Sequence, residues 1–173
     1  MRYSVKLKIF IFLLLTISQY SISLPFAKIS SYCVCFTPYQ NCTTVVIKAI
    51  NKAQNSILVQ AYSFTSKPIL EALIKAKKRG VNVEIVLDKS QKKAVQLLAN
   101  SGILVFIDYR VAIAHNKVMI FDKEKVLTGS FNFTKAAQMR NAENLLIIQD
   151  SRLAKLYANN WYRREALSRR VEK

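Results

Sequence analysis

His115 and Lys117 stand one residue apart in the run His115-Asn116-Lys117-Val118-Met119-Ile120-Phe121-Asp122, and His115 is the only histidine of the chain. Downstream comes Gly129-Ser130-Phe131-Asn132. These residue types suit attack on a phosphodiester, a poor electrophile that carries a negative charge. Without a metal, such a reaction needs a nucleophile that is neutral near pH 7 and fixed cations or hydrogen-bond donors around the phosphate. An imidazole titrates near about 6.5 and can accept a phosphoryl group as a covalent intermediate. On a strand, positions 115 and 117 share a face, so the imidazole and the ammonium project together while Asn116 points away. Ser130 and Asn132 repeat that spacing. Lys117, Ser130 and Asn132 then bind the phosphate, the latter two donating to its non-bridging oxygens as charge builds, and Gly129 lets the backbone come close.

One histidine cannot carry the phosphoryl group and protonate the departing oxygen at the same moment. The sequence holds no second histidine and no second copy of the run, so the general acid must be His115 of another chain across a two-fold axis. A homodimer with one shared site is the expectation.

The full spacing is His, one residue, Lys, four residues, Asp, six residues, Gly-Ser, one residue, Asn. Chance would produce those identities in a chain this long with odds on the order of one in a million. The pattern resembles the signature of the phospholipase D superfamily. Residues 33 to 168 are most similar to the small secreted endonucleases and short phospholipase D-like proteins of bacteria. The resemblance implies a metal-independent phosphodiesterase with no cofactor, and single-motif members of the superfamily are similar homodimers. It also implies that Glu143, in Arg140-Asn141-Ala142-Glu143-Asn144, hydrogen-bonds and orients the nucleophilic histidine. Asp122 completes the catalytic set of His115, Lys117 and Glu143, although its counterpart in the family supports the fold more than the chemistry. The stretch from Val59 to Thr65 looks like the family's first core strand, ending beside the phosphate pocket.

Charge agrees with an anionic substrate. The chain carries 27 Lys and Arg against 10 Asp and Glu, a formal charge of +17. Such an excess concentrates a polyanion and speeds its arrival. It does not separate a phospholipid membrane from nucleic acid, because an anionic bilayer attracts the same patches. A basic protein that docks on either polyanion without turnover is the rival reading.

The amino terminus carries Arg2, Lys6 and Lys8 ahead of the apolar run Ile9 to Ile17, then small residues at Ser21-Ile22-Ser23. This reads as a signal peptide over 1–23, with export to the periplasm or medium after cleavage. An uncleaved anchor over about Leu7 to Leu24 is the alternative. Cys33, Cys35 and Cys42 lie early in the mature chain, where oxidising conditions favour pairing of Cys42 with Cys33 or Cys35. Zinc would need a fourth ligand, and the one histidine is committed elsewhere.

Residues 24–173 form a single domain with no linker in it. Strands are predicted at Tyr32 to Phe36, Ile57 to Ser63, Val81 to Leu87, Ile103 to Ile107, Ile113 to Phe121, Lys125 to Gly129 and Leu145 to Gln149. Helices are predicted at Thr43 to Gln54, Lys67 to Arg79, Ser90 to Asn100, Lys135 to Met139 and Arg152 to Ser168. On the last helix, Leu153, Leu156, Tyr157, Trp161 and Leu167 should face the sheet while the arginines face water. The fold class is α/β: a layered sandwich with a mixed β-sheet flanked by helices, of the phospholipase D-like fold.

Overall fold

The computed structural model describes residues 31–172, so the expected signal or anchor lies outside the described residues. The elements run β1 (Ser31–Thr37), α1 (Cys42–Lys52), β2 (Ser56–Ala61), α2 (Lys67–Lys78), β3 (Asn82–Asp88), α3 (Lys92–Asn100), β4 (Leu104–Asp108), β5 (Lys117–Phe121), β6 (Lys125–Gly129), α4 (Lys135–Met139), β7 (Glu143–Gln149), α5 (Ser151–Glu165) and β8 (Arg169–Arg170). The strands form one mixed sheet in the order β1-β7-β6-β5-β2-β3-β4-β8. β2, β3 and β4 are parallel, and the remaining pairings are antiparallel. The α/β sandwich expected from the alternation of Val/Ile-rich runs and helical stripes is what the chain forms.

Helices lie on both faces because each central strand is apolar on both sides. Every residue of β5 is buried, and five of the six in β2 are buried. On one face, Val46 and Ile50 of α1, Leu70 and Leu73 of α2 and Leu98 of α3 pack on Ile57, Ile85 and Met119. On the other, Ala154, Ala158 and Trp161 of α5 pack on Leu58, Val86, Val118 and Val126. The Trp161 indole N–H donates to the Val59 carbonyl at 2.8 Å, so this large side chain is buried without an orphaned donor.

Two details of the last helix differ from the expected stripe. Leu156 and Leu167 are exposed, and small Ala154 and Ala158 form the contact face with Trp161. Alanines let the helix sit close to the sheet, which hydropathy at helical spacing does not distinguish from a larger apolar stripe. Arg164 also turns inward, its guanidinium paired with the buried Asp108 carboxylate. The helix stops at Glu165, and Arg169–Arg170 add a short edge strand that charge had hidden.

Cys35 and Cys42 form the disulfide, joining the end of β1 to the start of α1, and Cys33 is free and exposed. Cys33 and Cys35 share a strand face, but only Cys35 faces the buried α1 start.

The β5–β6 hairpin turns at Asp122 and Lys123, both with left-handed φ, at 53° and 58°. The Asp122 carboxylate accepts backbone N–H bonds from Gln54, Asn55 and Ser56 at 2.7–3.2 Å, tying the hairpin tip to the start of β2. Burial works against its charge, but the Ser56, Asn55 and Gln54 donors outweigh that and hold its pKa below the ordinary 3.8. A group depressed in this way stabilises the fold above the ordinary value and loses that contribution as pH falls through the folded value. Asp122→Ala is therefore expected to cost about 2 kcal/mol at pH 7. In denaturant titrations, the gap between the two proteins should close below pH 3.8; a gap that stays constant with pH would mean the carboxylate is not what holds the tip.

Candidate active site

β1 and β6 end, β5 and β7 begin, and β2 ends at one edge of the sheet. An open cleft of about 520 Å³ sits there, lined by His115, Lys117, Ser130, Asn132, Glu143 and Tyr157 among others. The structure thus brings together five of the six residues singled out from the sequence. Asp122 is not among them. It lies at the other end of β5, roughly 16 Å of strand from Lys117 at about 3.3 Å per residue, in the structural role its backbone partners define.

His115 is not on a strand as expected. β5 begins only at Lys117, and residues 113–116 approach it as an extended segment outside the ladder. Two contacts set that segment. The Asn116 carbonyl accepts the Tyr62 N–H at 2.9 Å, continuing the β2 pairing past its formal end. Asp88, at the end of β3, accepts the N–H of Ala114 at 2.8 Å and that of Ser90 at 2.9 Å. Burial opposes the charge of Asp88, yet the bonds from Ser90 and Ala114 and the nearby Lys89 hold its pKa low. A carboxylate thereby fixes the residue directly before the histidine.

The imidazole is exposed and packs on the Tyr62 ring, with centroids 4.6 Å apart and planes at 49°. Lys117 is 7% exposed. Its Nζ donates to the His115 carbonyl at 2.7 Å and sits 5.1 Å from the centroid of the same Tyr62 ring. One ring therefore touches both groups, through a tilted ring contact with the imidazole and a cation–π contact with the ammonium. Burial pulls the lysine pKa down and the Glu143 carboxylate pushes it back, so the ammonium is partly desolvated but charge-supported. An incompletely solvated cation attracts a phosphate more strongly than one in open water.

Across the cleft, Ser130 is held by Asn144. Its N–H donates to the Asn144 carbonyl at 3.1 Å, and its Oγ accepts the Asn144 N–H at 3.0 Å. Its hydroxyl proton is left to donate outward. Gly129, at φ 148°, lies so close to Asn144 that an added Cβ would collide with that carbonyl. Asn132 has a buried amide oxygen without a hydrogen-bond donor among the described residues, and its NH2 group is the end that can donate to a phosphate oxygen.

Glu143 opens β7. Its Oε1 accepts the Asn141 amide at 2.8 Å, and its N–H donates to Thr37 Oγ1. That hydroxyl, 4% exposed, also donates toward the carbonyls of Ala137 and Asn141. The carboxylate therefore lies in the cleft and acts on Lys117, whereas the His115 ring makes its contact with Tyr62.

Tyr62, Asp88 and Thr37 were not foreseen as parts of the site. The Val59–Thr65 stretch signalled Tyr62 by ending at the pocket. Asp88 and Thr37 act through contacts distant in sequence, which no local pattern announces. A separate recess of about 440 Å³ between α1 and the β1 side of the sheet contains Asp122 but none of the other motif residues.

With this geometry in place, similarity to known proteins is informative. A family model described as cardiolipin synthase, PLD-like domain, matches residues 46–164. A phospholipase D of Rickettsia typhi is 44% identical over 164 residues, covering 87% of this chain and 80% of the relative. A mitochondrial cardiolipin hydrolase of Mus musculus is 29% identical over 138 residues, 77% of this chain and 62% of that protein. Among solved structures, Nuc of Salmonella typhimurium, described as a phospholipase D family member, superposes with a TM-score of 0.80 at 40% identity. That match covers 83% of this chain and 99% of Nuc.

Proposed function

Because the chain belongs to the phospholipase D superfamily and is a phosphodiesterase of that family, we propose that it hydrolyses its substrate through a covalent phosphohistidine at a site completed by a second copy of itself. The observation that carries this reading is the convergence of His115, Lys117, Ser130, Asn132 and Glu143 on one cleft. His115 attacks phosphorus, the bond to the leaving oxygen breaks, and His115 of the second copy delivers a proton to that oxygen. The second imidazole then takes a proton from water, which attacks the phosphohistidine and releases the phosphate product. Lys117, Ser130 and Asn132 stabilise the charge on the non-bridging oxygens. Tyr62 and Asp88 position the imidazole and its loop. Glu143 supports the ammonium of Lys117, and it can orient an imidazole once a substrate draws the ring into the cleft.

No metal enters these steps. A phospholipid head group is the substrate favoured by the names of the relatives, phospholipase D and cardiolipin hydrolase. Nucleic acid is the second reading, since the net charge of +17 suits that polyanion as well as an anionic bilayer. We further propose that residues 1–23 direct export to the periplasm or medium when cleaved, or anchor the domain to the membrane when retained.

The test is a side-by-side assay in EDTA of phosphatidylcholine vesicles, cardiolipin vesicles and single- and double-stranded nucleic acid. Quenching in alkali should trap an acid-labile, base-stable phosphoryl-enzyme on His115. Turnover of the vesicles with that adduct supports the first reading, and turnover of nucleic acid with it supports the second. Activity that disappears with EDTA and returns with a divalent cation would refute the metal-free mechanism. Binding without turnover of any substrate would leave the docking protein as the better account.

A further inference from the structure

The amino ends of α1 and α2, together with α4, frame a recess of about 670 Å³. It adjoins the catalytic cleft. The N–H groups of Thr65 and Ser66 both donate to the Phe133 carbonyl, at 3.0 and 2.9 Å, and the preceding residue, Asn132, lines the cleft. At α1 the helix start is already satisfied: Asn41 Oδ1 accepts the Thr44 N–H at 3.0 Å, and Gln138 Oε1 accepts that of Thr43 at 2.9 Å. At α2 it is not. Ser66 is only 5% exposed and lines the recess, yet its hydroxyl neither caps the helix nor meets another hydrogen-bond partner among the described residues. The Lys67 N–H has no acceptor among them either, and Pro68 at the next position has no N–H to offer. A buried hydroxyl ordinarily has a partner, and an open helix start attracts an anion. Lys67 and Lys135 border the same recess without a salt bridge among the described residues, and no carboxylate lines it.

We propose that this recess holds the second phosphate of a lipid with two phosphodiesters joined through one glycerol, while the first phosphate lies in the catalytic cleft; the assignment rests on the phospholipid reading above. The Ser66 hydroxyl and the Lys67 N–H donate to the second phosphate, and the two ammoniums balance its charge. Two features favour a lipid over a nucleic-acid strand as its owner. Pro68 and the 63% exposed Met139 give the recess an apolar wall for the glycerol and the first carbons of an acyl chain. No aromatic ring lines it, whereas single strands are held by stacking bases on such rings. A lipid with one phosphate leaves the Ser66 and Lys67 donors empty and binds more weakly. Hydrolysis at the first phosphorus, with water adding across the bond to the shared glycerol, leaves phosphatidic acid and phosphatidylglycerol. The second of these has a single phosphodiester, so it is a poorer substrate and accumulates.

The experiment presents cardiolipin and phosphatidylglycerol, each sparse in neutral detergent micelles, to the wild-type chain, to Ser66→Ala and to Lys67→Gln/Lys135→Gln. Circular dichroism should be unchanged, since both lysines are exposed and the serine makes no side-chain cap. With cardiolipin, kcat/KM should fall about tenfold in the double variant and severalfold in Ser66→Ala, chiefly through KM. With phosphatidylglycerol it should stay within about twofold. Equal losses on the two lipids, or none on either, refute the second-phosphate site. Micelle binding is measured in parallel on chains that also carry His115→Ala, which cannot turn over. There the preference for cardiolipin should survive the histidine change and vanish with the lysine changes. If the wild type cuts neither lipid, the phospholipid reading fails, and a binding preference that the lysine changes leave intact refutes the site separately. Cleavage of an oligonucleotide that responds to these substitutions, with cardiolipin indifferent to them, would make the occupant a strand phosphate and overturn the lipid assignment.

Discussion

Equilibrating wild-type chain with a tenfold excess of His115→Ala chain should extinguish most of its activity, although the added chain touches no wild-type residue chemically. His115→Ala by itself is expected to lose about 10⁴-fold or more in turnover, since both the nucleophile and its protonating twin disappear. The mixture is more telling. If each site needs one imidazole from each copy, a mixed pair has a nucleophile or an acid but never both. At tenfold excess only about one wild-type chain in eleven finds a wild-type partner, so activity per wild-type chain should drop by about tenfold. Sites that work independently would instead hold their activity through the whole titration, and that flat line would end the shared-site mechanism. The geometry gives this expectation its sharpness. In one copy, the imidazole faces Tyr62 and the Lys117 ammonium, which donates to the His115 carbonyl, sits beside it, and the described residues lining the cleft include no second imidazole.

The second large effect concerns Gly129. At φ 148° the residue lies where side-chain-bearing residues rarely go, and a methyl there would press into the Asn144 carbonyl and lie 3.0 Å from the Asn144 side-chain oxygen. The same Asn144 holds Ser130 by its backbone and takes the Phe131 N–H at 3.2 Å. Gly129→Ala must therefore push β6 from β7 at the point where Ser130 and Glu143 face the cleft. A cost of about 3 kcal/mol is expected, with turnover falling about a hundredfold even where the protein remains folded. Gly80→Ala provides the control. Gly80 also has a positive φ, 93°, but a Cβ there meets nothing within 4 Å, so about 1 kcal/mol and no change in turnover should follow. Equal effects at the two positions in thermal melts and assays would show that backbone conformation alone, rather than the Asn144 collision, makes Gly129 necessary.

Much of this molecule was legible in its sequence, for physical reasons. The strands rich in Val and Ile and the helices with period-3.6 stripes appear within a few residues of where they were expected, because both patterns are direct records of burial. The motif residues were legible because their chemistry constrains type and spacing together. The strand at Ile113 was misjudged because Ile113 and Ala114 are apolar in a segment that Asp88 holds outside the ladder, and a carboxylate 26 positions away leaves no local trace. Trp161 was correctly read as buried, but Leu156 was not, because a hydrophobic stripe does not reveal which of its members reach the sheet. Arg164 pairs with Asp108 from 56 positions away, which is equally invisible to periodicity.

The two rims of the sheet are unequally defended. At one, β8 is only two residues long and both are arginine, a stub that repels any further strand. At the other, all seven residues of β1 are neutral, and among the described residues no strand pairs with its outer backbone groups. Misassembly in a concentrated stock should consequently start at β1, by strand-on-strand accretion into fibres. The main restraint is the mutual repulsion of strongly cationic molecules, which works over a Debye length of about 8 Å at physiological ionic strength and shrinks as salt is added. Solubility should thus decline with sodium chloride, the opposite of what salting-in of a balanced surface would give.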